Sequence, residues 1–532
     1  MKVFSYQKYP YTVYKFEVID STNNAARREI ERLGTSADRL VFVADEQTEG
    51  RGRNGREWLN SEAAVMMSIV RTTKLSMDRM PILNLVAALA VKDAVKKLTN
   101  GVAELSVKWP NDLITKDRLE KVCGILSETV SLNGTKFAII GIGLNLNAKK
   151  LPDGLLQPAS SVYLQYGKFI NVIDAVNAIL AEFEVKYNLF MKDQEAFLKE
   201  FASDCVSIGH HVSVDNGETV RYGVGDKLAK NGQLIVRYED GETDVVYAAD
   251  VSVRNQTLID DMLALRLRPK REPSANKGAF GKAALIVGSE DMPGAALMST
   301  LACIRSGAGL TRVLVPDAIK PSFTAVPEAM ILTDDEDADE LIKWSNAILI
   351  GCGMGTGKRT LELLKKTLES KKPCVIDADG LNTLAKNKKL YELLHDKVVL
   401  TPHPAEMARL TGEKVDHVVK YRTRVALDFA KANGVNVLLK SDSSVLASPD
   451  GTIRYNDSGS SALAKGGSGD VLAGIITAFI AQGVKPYDAA SLGAYVLGLS
   501  AEKSIDFLHN RFVAASDIIE IVSNDLNRRN KQ

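Results

Sequence analysis

The chain has 532 residues, of which 45% are hydrophobic and 25% charged, and its 67 basic and 66 acidic residues leave a net charge of +1. At about 150 residues per domain, this length predicts three to four domains of ordinary globular composition. The balanced charge argues against a protein dedicated to coating nucleic acid and gives no general attraction to membranes.

Cysteine usage and apolar runs favour a soluble cytoplasmic protein. The five cysteines are widely spaced and lack a C-x-x-C pair, so neither a disulfide framework nor a zinc site is predicted. The N-terminus has no continuous apolar core of the kind a signal peptide needs. The longest apolar run, 471–480, is about half as long as a membrane-spanning helix.

Hydrophobic periodicity predicts alternating strands and helices in the first 150 residues. The predicted elements are strands at 15–19, 40–44, 64–71, 107–108, 121–126 and 139–147, and helices at 24–33 and 80–98. Residues 20–23 are helix-capping types, which explains where the first helix begins.

The stretch Gly50–Trp58 reads G-R-G-R-N-G-R-E-W. Its glycines allow backbone conformations closed to other residues, and its arginines match phosphate oxygens in pairs. The motif predicts a loop that binds a polyanion and closes over it, although a solvated surface turn explains the motif alone about equally well.

The stretch K-W-P-N-D at 108–112 follows a predicted strand. It suits a nucleotide, with the ring against the base, the lysine against phosphate and the short polar side chains toward ribose or metal. Pro-Asn-Asp is also ordinary turn chemistry, so a plain turn stays open.

Taken in order, S-T-N, G-R-G-R-x-G-R-x-W, K-W-P-N-D-L, K-x-x-G-I-L and G-I-G-x-N-x-N resemble biotin–protein ligase. The order of the motifs is far more specific than any one of them. The resemblance implies an α+β, class II synthetase-like catalytic domain at 1–200. It also implies that biotin and ATP, with Mg²⁺, form biotinyl-5'-AMP, and that biotin then passes to a lysine in the biotin carboxyl carrier domain of a carboxylase.

The resemblance also implies the residues of this site. The catalytic residues would be Lys121 and Arg53. The biotin-binding positions would be Ser21, Thr22, Asn23, Gln47, Arg51, Arg53 and Lys121. The ATP-binding positions would be Lys108, Trp109, Asn111, Asp112 and Asn145. Cations suit this chemistry, because a carboxylate must attack an α-phosphate and the two anions repel each other.

The rest of the first half predicts a helix at 175–200 and then short strands at 205–254, separated by D-N-G, N-G and D-G hairpin signals. This texture predicts a small β-barrel, and the ligase resemblance implies an SH3-like domain at 201–254. We interpret His210 and His211 as surface strand residues. Ligases that also repress biotin genes carry a winged helix ahead of the catalytic domain. This chain has only twenty residues before Ser21. DNA binding is therefore not expected.

Residues 255–275 are predicted to be a linker, with an amphipathic piece at 258–267 followed by two prolines among charges. Beyond it, strands and helices alternate, which predicts a largely parallel sheet with helices on both faces. The predicted strands are 283–288, 311–315, 347–350, 373–376, 398–400 and 437–440. Several end in polar or glycine-rich stretches, where open α/β sheets collect ligands.

The stretch A-K-G-G-S-G-D at 464–470 opens a predicted helix. Its glycines direct free amides and the positive end of the helix dipole at an anion. Asp470 lies in the first turn, where it could take a proton from a hydroxyl. An aspartate that only caps the helix is the plainer alternative.

Residues 276–525 resemble the ADP- or ATP-dependent NAD(P)H-hydrate dehydratases, a branch of the ribokinase-like α/β fold. The matching motifs are K-G-x-F-G, G-S-E-D-M-P-G-A-A, G-x-G-x-G, D-A-D-x-L-N, T-P-H-P-x-E and A-K-G-G-S-G-D-x-L-x-G. The resemblance implies that ADP or ATP phosphorylates the added hydroxyl of hydrated NADH or NADPH, and that loss of phosphate restores NAD(P)H.

By motif, Asp470 would be the base of this reaction. The hydrated dinucleotide would be bound by Ala295, Gly353, His403 and Asp470. The adenosine nucleotide (AMP or ADP) would be bound by Lys440, Ser441, Asp442, Ser443, Ser444 and Gly469. Mg²⁺ would arrive with the nucleotide, and no side-chain cluster that fixes a metal is predicted.

Two stretches depart from the dehydratase pattern: K-G-x-x-T is K-S-D-S-S at 440–444, and S-H-K-G is A-N-K-G at 275–278. The first departure puts the conformation of the nucleotide loop in question, and neither touches Asp470. The epimerase domain often fused ahead of such dehydratases is replaced here by the ligase-like half.

We therefore expect a multidomain, bifunctional cytoplasmic enzyme whose ribokinase-like domain spans 276–532. Three alternatives stay open: a lipoate ligase for the first half, a small-alcohol or vitamin kinase for the second, and a biotin-sensing repressor. The sequence does not decide between ADP and ATP, the carrier protein, or whether the chain forms a homo-oligomer.

Overall fold

The computed structural model describes residues 2–6, 11–52, 55, 57–116, 119–152, 158–247, 252–269, 277–506 and 508–528. The chain divides into two compact units, Met1–Asn255 and Gln256–Gln532. The finer boundary at residue 200 stays a prediction.

The first unit is built on an eight-stranded sheet of order β1-β2-β3-β4-β8-β7-β6-β5. Its strands are β1 (Lys2–Tyr6), β2 (Tyr11–Ile19), β3 (Leu40–Gln47), β4 (Val65–Thr73), β5 (Leu105–Lys108), β6 (Asp112–Thr115), β7 (Lys121–Leu132) and β8 (Thr135–Leu144). Its helices are α1 (Thr22–Leu33), α2 (Ile82–Leu98), α3 (Val162–Tyr166), α4 (Val172–Lys192) and α5 (Gln194–Asp204). Only β2 and β3 pair in parallel; the other neighbours are antiparallel.

The single helix predicted at 175–200 is wrong, because the chain leaves helical geometry at Asp193. The φ and ψ of Asp193 are −146° and 86°. Its carboxylate accepts a hydrogen bond of 3.0 Å from the amide of Ala196. A short acidic side chain that caps the next helix competes with continuation of the first one. Apolar periodicity continues across this break, which is why the pattern did not reveal it.

A second, five-stranded antiparallel sheet of order β12-β11-β10-β9-β13 completes the first unit. Its strands are β9 (His211–Asp215), β10 (Val220–Leu228), β11 (Leu234–Tyr238), β12 (Thr243–Val246) and β13 (Ser252–Asn255). The all-β texture predicted for this stretch is present, and the closed SH3-like barrel stays a prediction.

The second unit has a ten-stranded sheet of order β14-β23-β22-β21-β20-β19-β18-β15-β16-β17. Its strands are β14 (Thr257–Leu258), β15 (Lys282–Ile286), β16 (Leu310–Leu314), β17 (Met330–Leu332), β18 (Ala347–Ile350), β19 (Cys374–Ile376), β20 (Val398–Leu400), β21 (Asn436–Leu439), β22 (Ser444–Ala447) and β23 (Ile453–Asn456). Only β22 runs antiparallel to its neighbours. The predicted largely parallel sheet is confirmed.

The helices of the second unit follow its parallel strands or pack together at its C-terminal end. They are α6 (Asp261–Leu267), α7 (Pro293–Arg305), α8 (Ala338–Trp344), α9 (Lys358–Glu369), α10 (Asp379–Lys386), α11 (Pro404–Thr411), α12 (Val415–Lys420), α13 (Arg422–Asn433), α14 (Ser468–Ala481), α15 (Pro486–Ser504) and α16 (Ala515–Arg528). Helices α7 and α14 pack closely, since a Cβ added to Gly474 would lie 2.2 Å from the carbonyl oxygen of Ser299.

Part of the segment predicted as a linker, 255–275, belongs to the second unit. Strand β14 pairs in parallel with β23. Ile259 and Ala264 are buried in the core of that unit, and the hydroxyl of Tyr495 donates to Asp261 at 2.6 Å. Residues 270–276, which include the A-N departure at 275–276, lie outside the described residues. Among the described helices, none has the length and apolar character to cross a membrane.

Candidate active sites

In the first unit, a polar network joins the start of α1 to the sheet. The amide and hydroxyl of Thr22 donate to Oε1 of Gln47 at 2.8 and 3.1 Å. The hydroxyl of Ser68 donates to Oδ1 of Asn23 at 2.6 Å, and Nδ2 of Asn23 donates to Glu128 at 2.8 Å. The structure therefore brings together three predicted biotin-binding residues and adds two that sequence reasoning missed.

Three other predicted biotin-binding residues lie at the edge of this network or outside the description. Ser21 is buried at the N-terminus of α1, but its hydroxyl makes no capping hydrogen bond. Arg51 is exposed and forms an ion pair of 3.7 Å with Glu49. Arg53 lies outside the described residues, as do Asn54 and Arg56 of the Gly50–Trp58 loop.

Two glycines, Gly124 and Gly143, lie directly under the indole ring of Trp58 and form a glycine floor. A Cβ added to Gly143 would lie 2.5 Å from Cε2 of this ring, and one added to Gly124 would lie 2.9 Å from its Cζ3. The Nζ of Lys121 lies 5.8 Å from the ring centroid. The indole Nε1 of Trp58 is buried and has no hydrogen-bond partner among the described residues. These glycines are needed because any side chain there would displace the ring.

Lys121, at the start of β7, forms a tight ion pair with Asp112, at the start of β6. The Nζ–Oδ1 distance is 2.6 Å, and the two side chains are 21% and 14% exposed. A partly buried pair of this kind holds the lysine at one position without removing it from ligands. The predicted catalytic lysine and one predicted nucleotide-side aspartate are therefore in contact.

The two predicted nucleotide-side asparagines are fastened to the backbone. Nδ2 of Asn111 donates to the carbonyl of Ile125 at 2.7 Å. Asn145 accepts from Ser61 at 2.9 Å and donates to the carbonyl of Ser160 at 3.2 Å. Both side chains therefore fix the chain segments around the Lys121–Asp112 pair.

The expectation that Trp109 stacks on a nucleotide base is wrong. Its side chain is 2% exposed in the hydrophobic core, and its Nε1 donates to the carbonyl of Gly232 at 2.9 Å. This hydrogen bond fastens the eight-stranded sheet to the turn between β10 and β11. The neighbouring Lys108 is only half-buried. The tryptophan beside Lys121 is Trp58 instead.

In the second unit, the start of α14 follows the two glycines of A-K-G-G-S-G-D. Gly467 has φ 93°, and a Cβ there would lie 2.3 Å from Sδ of Met298, so both conformation and space require glycine. The hydroxyl of Ser468 is buried and has no partner among the described residues. A helix start with an unused donor suits an oxyanion.

Asp470, in the first turn of α14, lies beside a buried cluster of polar groups. Ligand atoms of Cys352, Asp377 and Asp470 all lie within 4.8 Å of one another. Asp377 accepts from Nζ of Lys440 at 2.9 Å and from the hydroxyl of Thr401 at 2.8 Å. The clustering of Asp377 and Cys352 with Asp470 was not predicted, although D-A-D at a strand end was a usable signal for Asp377.

Burial, with a further contribution from the Asp377 carboxylate, raises the pKa of Asp470 from 3.8 to about 6. Burial also raises the pKa of the Cys352 thiol well above its usual value. Lys440 stays charged, because Asp377 and Glu406 together outweigh the effect of its burial and raise its pKa. The cluster therefore holds an ion pair between Asp377 and Lys440 and, beside it, a carboxylate whose pKa is about 6.

His403 begins α11 and forms a reciprocal capping arrangement with Glu406. Its Nδ1 accepts from the amide of Ala405 at 3.1 Å, and its own amide donates to Glu406 at 2.9 Å. Burial, followed by the charges of Lys440 and Arg409, lowers the pKa of His403. The histidine is therefore neutral at physiological pH, with one ring edge in use as a helix cap.

The remaining predicted residues belong either to the set expected to bind the hydrated dinucleotide or to the set expected to bind the adenosine nucleotide. Ala295 faces Gly353, since a Cβ added to this glycine would lie 2.8 Å from the Cβ of Ala295. Gly469 lies beside the ion pair, since its added Cβ would be 3.5 Å from Nζ of Lys440. The loop at 441–444 forms its own turn, in which Ser441 donates to the carbonyl of Ser443 at 2.5 Å, while Asp442 points outward and pairs with Arg422 at 3.1 Å.

Residues 283–524 match the family model described as NAD(P)H-hydrate dehydratase. The ADP-dependent (S)-NAD(P)H-hydrate dehydratase of Neisseria meningitidis is 39% identical over 243 residues, which cover 44% of this chain and 80% of that protein. The chain belongs to the NAD(P)H-hydrate dehydratase family. The family match includes α14 with Asp470 and the strand ends that hold Asp377 and Lys440.

A bifunctional repair enzyme is similar to this chain over part of its length. The bifunctional NAD(P)H-hydrate repair enzyme of Moorella thermoacetica is 34% identical over 268 residues, which cover 48% of this chain and 51% of that protein. The chain thus spans about half the length of the repair enzyme that it matches.

The first unit matches a separate family. Residues 15–147 match the model of the Biotin/lipoate A/B protein ligase family. Among solved structures, biotin protein ligase from Aquifex aeolicus in complex with biotin and ATP is 26% identical and covers 46% of this chain and 99% of that one, with a TM-score of 0.39. Both resemblances drawn from the motifs are confirmed, and the family match leaves the choice between biotin and lipoate open.

Proposed function

We propose that the second unit dehydrates hydrated NADH and NADPH at the expense of ADP or ATP, with Asp470 as general base. The observation that carries this proposal is the pairing of a raised pKa of about 6 at Asp470 with a neutralised Asp377 beside it. A carboxylate with that pKa is largely ionised at pH 7 and still basic enough to accept a proton from an alcohol.

In the proposed reaction, Asp470 takes the proton from the added hydroxyl as its oxygen attacks the terminal phosphorus of the nucleotide. The bond from that phosphorus to the bridging oxygen breaks, and AMP leaves if ADP is the donor. The C–O bond of the phosphorylated ring then breaks, phosphate departs with the electron pair, and loss of a ring proton restores NAD(P)H. The amides at the start of α14 and Lys440 would stabilise the phosphoryl oxygens.

Mg²⁺ would enter both sites with the nucleotide, and the donors present fit it in part. Carboxylate oxygens such as those of Asp112 and Asp377 are the ligands that Mg²⁺ prefers, whereas the thiol of Cys352 is not. Lys440 already supplies a positive charge 2.9 Å from Asp377. When bound, the ion would neutralise phosphate charge.

Purified chain incubated with hydrated NADH and ADP tests this proposal. We expect the absorbance of NADH to appear with one AMP and one phosphate per NADH formed. A small-alcohol or vitamin kinase would instead leave a stable phosphorylated product and form no NADH. ATP in place of ADP decides the donor.

We propose that the first unit joins biotin to a lysine of a carrier domain, through biotinyl-5'-AMP. The network of Thr22, Asn23, Gln47 and Ser68 supports biotin over lipoate, because the ureido ring of biotin has two N–H donors and a carbonyl, while a dithiolane ring has neither. A site built from buried hydrogen-bonding groups rejects a ligand that cannot use them.

Lys121 would stand between the carboxylate of biotin and the α-phosphate, releasing Asp112 or sharing its charge with it. Trp58 would cover the mixed anhydride and keep out water, and its free Nε1–H would meet an acceptor on the ligand. The carrier would be the biotin carboxyl carrier domain of a carboxylase, and the cytoplasm is the proposed location of both reactions.

Incubation of the chain with ATP, a carrier domain and either labelled biotin or labelled lipoate tests this assignment. We expect label from biotin, and not from lipoate, to remain on the carrier lysine after denaturation. Transfer of lipoate alone would overturn the assignment. Specific binding to an operator DNA at physiological salt would instead favour the repressor alternative.

A further inference from the structure

A pocket with two basic side chains lies on the second unit, outside the cluster around Asp470. It has a volume of about 480 Å³ and is lined by Thr356, Asn382, Ala385, Lys386 and Arg409. Thr356 follows β18, Asn382 to Lys386 belong to α10 after β19, and Arg409 belongs to α11 after β20. Because β18, β19 and β20 are parallel neighbours, all three segments leave the same edge of the sheet, where ligands of open α/β sheets bind.

Both cations of this pocket are held by neutral partners. Nζ of Lys386 donates to the hydroxyl of Thr356 at 2.8 Å, and Nη1 of Arg409 donates to Oδ1 of Asn382 at 2.8 Å. Among the residues that the structure describes, no carboxylate lies within ion-pair distance of either side chain. The two positive charges are thus oriented by hydrogen bonds, and neither is held in an ion pair. The charge of Arg409 also acts on the Glu406 carboxyl, where it offsets part of the rise in pKa that burial causes, but the guanidinium stays available to an anion.

Two observations relate this pocket to residues predicted to face the hydrated dinucleotide. Arg409 acts on His403, whose pKa burial, Lys440 and Arg409 lower in that order. On the other side, Asn382 contacts Asp379 at 3.5 Å, and Asp379 accepts from the amide of Gly355 at 2.8 Å, two residues after Gly353. The pocket therefore lies on the same side of the sheet as Gly353 and His403, and Arg409 is close enough to His403 for its charge to act on the ring.

We propose that Lys386 and Arg409 bind a phosphate group of the hydrated dinucleotide, and so position its adenosine half while the hydrated ring lies at Asp470. This proposal rests on the function proposed above and adds a subsite whose two cations, Lys386 and Arg409, belong neither to the motifs nor to the predicted binding positions. Two phosphates of the substrate have the required chemistry: the pyrophosphate common to both dinucleotides and the 2'-phosphate of NADPH hydrate.

The test compares Lys386→Gln, Arg409→Gln and the double variant with wild type, using both hydrated dinucleotides at fixed ADP. The matched control is Lys389→Gln, an exposed lysine three positions further on that does not line the pocket. Since exposed charge pairs contribute about 1 kcal/mol or less, we expect KM to rise about threefold to fivefold per single variant and about tenfold or more in the double variant, with kcat unchanged.

The pattern across the two substrates identifies the phosphate. Equal rises for both substrates assign the pocket to the pyrophosphate, and a rise for NADPH hydrate alone assigns it to the 2'-phosphate. KM values within about 1.5-fold of wild type for both substrates in the double variant would overturn the proposal. Lys386→Arg, which keeps the positive charge, should retain the wild-type KM. That result would show that the rise in KM of Lys386→Gln comes from the lost charge and not from a loss of folding.

Direct binding separates this proposal from the proposed reaction. Titration with NADPH and NADH, which need no turnover, should show the same loss of affinity in the double variant, and the loss should shrink as salt rises from about 0.05 to 0.5 M because exposed charges are screened. Binding with this charge dependence but without dehydration in wild type would refute the reaction and keep the subsite. Dehydration by wild type, combined with dinucleotide binding that depends neither on salt nor on the two cations, would support the reaction and refute the subsite.

Discussion

Each of the two candidate active sites contains a partly buried lysine–aspartate pair, and the surroundings of these pairs differ. Lys121 and Asp112 are 21% and 14% exposed, and Lys440 and Asp377 are 22% and 3% exposed. The second pair has Asp470 beside it, whereas the first has a glycine floor under Trp58. The comparison shows how one kind of ion pair can serve two tasks.

The two sites differ in the groups that lie beside the ion pair. In the second unit, Lys440 neutralises Asp377, and Asp470 is left as a buried carboxylate whose pKa rises to about 6. In the first unit, Lys121 is the cation that lies beside the ring of Trp58. Under the proposed functions, the first site would hold anions together, and the second would remove a proton.

Removing the base should produce the largest effect. Asp470→Asn should lower the rate of NADH formation from hydrated NADH by about 10²- to 10⁴-fold, because proton removal by a positioned carboxylate contributes that much. Biotin transfer by the same variant should stay within about twofold of wild type. NADH absorbance and labelled carrier, measured on one preparation, check both. A loss of both activities would contradict the assignment of the two tasks.

Removing the anion-binding lysine should have the reverse effect. Lys121→Ala should slow formation of biotinyl-5'-AMP by about 10²- to 10³-fold, because a fixed cation facing the developing charge is lost. Dehydration should be unchanged. Pyrophosphate release in single turnover measures the step, and Lys116→Ala, an exposed lysine at the end of β6, is the matched control. Arg53→Ala is expected to act in the same direction.

The two tryptophans of the first unit should behave oppositely. Trp109→Ala should destabilise this unit by about 3–5 kcal/mol, because it empties a core position and frees the carbonyl of Gly232. Trp58→Ala should leave the melting temperature within about 2 °C, since the lost contacts are at the pocket. It should also release more AMP per biotin transferred, because water reaches the adenylate. Equal stability of both variants would contradict the positions of the rings.

The pH profiles should separate the two sites further. The base must be ionised to act, and the pKa of Asp470 is raised to about 6. Dehydratase kcat/KM should therefore be constant above about pH 7 and fall about tenfold per unit below about pH 6. Biotin adenylation, which uses no carboxylate base in this account, should not show that step. A dehydratase profile that is flat down to pH 5 would remove Asp470 from the role of base.

The sequence predicts the position of a residue best where that position depends on residues close to it in the chain. The start of α14 was predicted because A-K-G-G-S-G-D carries its own conformational and dipole signal. The exchange of Trp109 for Trp58 was not predicted, because burial depends on the turn at Gly232, which is remote in sequence. Asp377 and Cys352 join Asp470 only through the adjacency of β18 and β19, which the order of motifs does not reveal.

The fold followed the same rule. Most strands and helices of both units agree with the periodicity, and the parallel sheet of the second unit follows from alternating elements. The break at Asp193 and the packing of Ile259 and Ala264 onto the second unit depend on contacts that local patterns do not encode.

The most direct test of two separate sites in one chain is calorimetric. Wild-type chain is first saturated with ADP and NADH and then titrated with a non-hydrolysable analogue of biotinyl-5'-AMP. We expect one analogue bound per chain, with the same affinity as without ADP and NADH. Loss of that binding, or competition between the two sets of ligands, would contradict it.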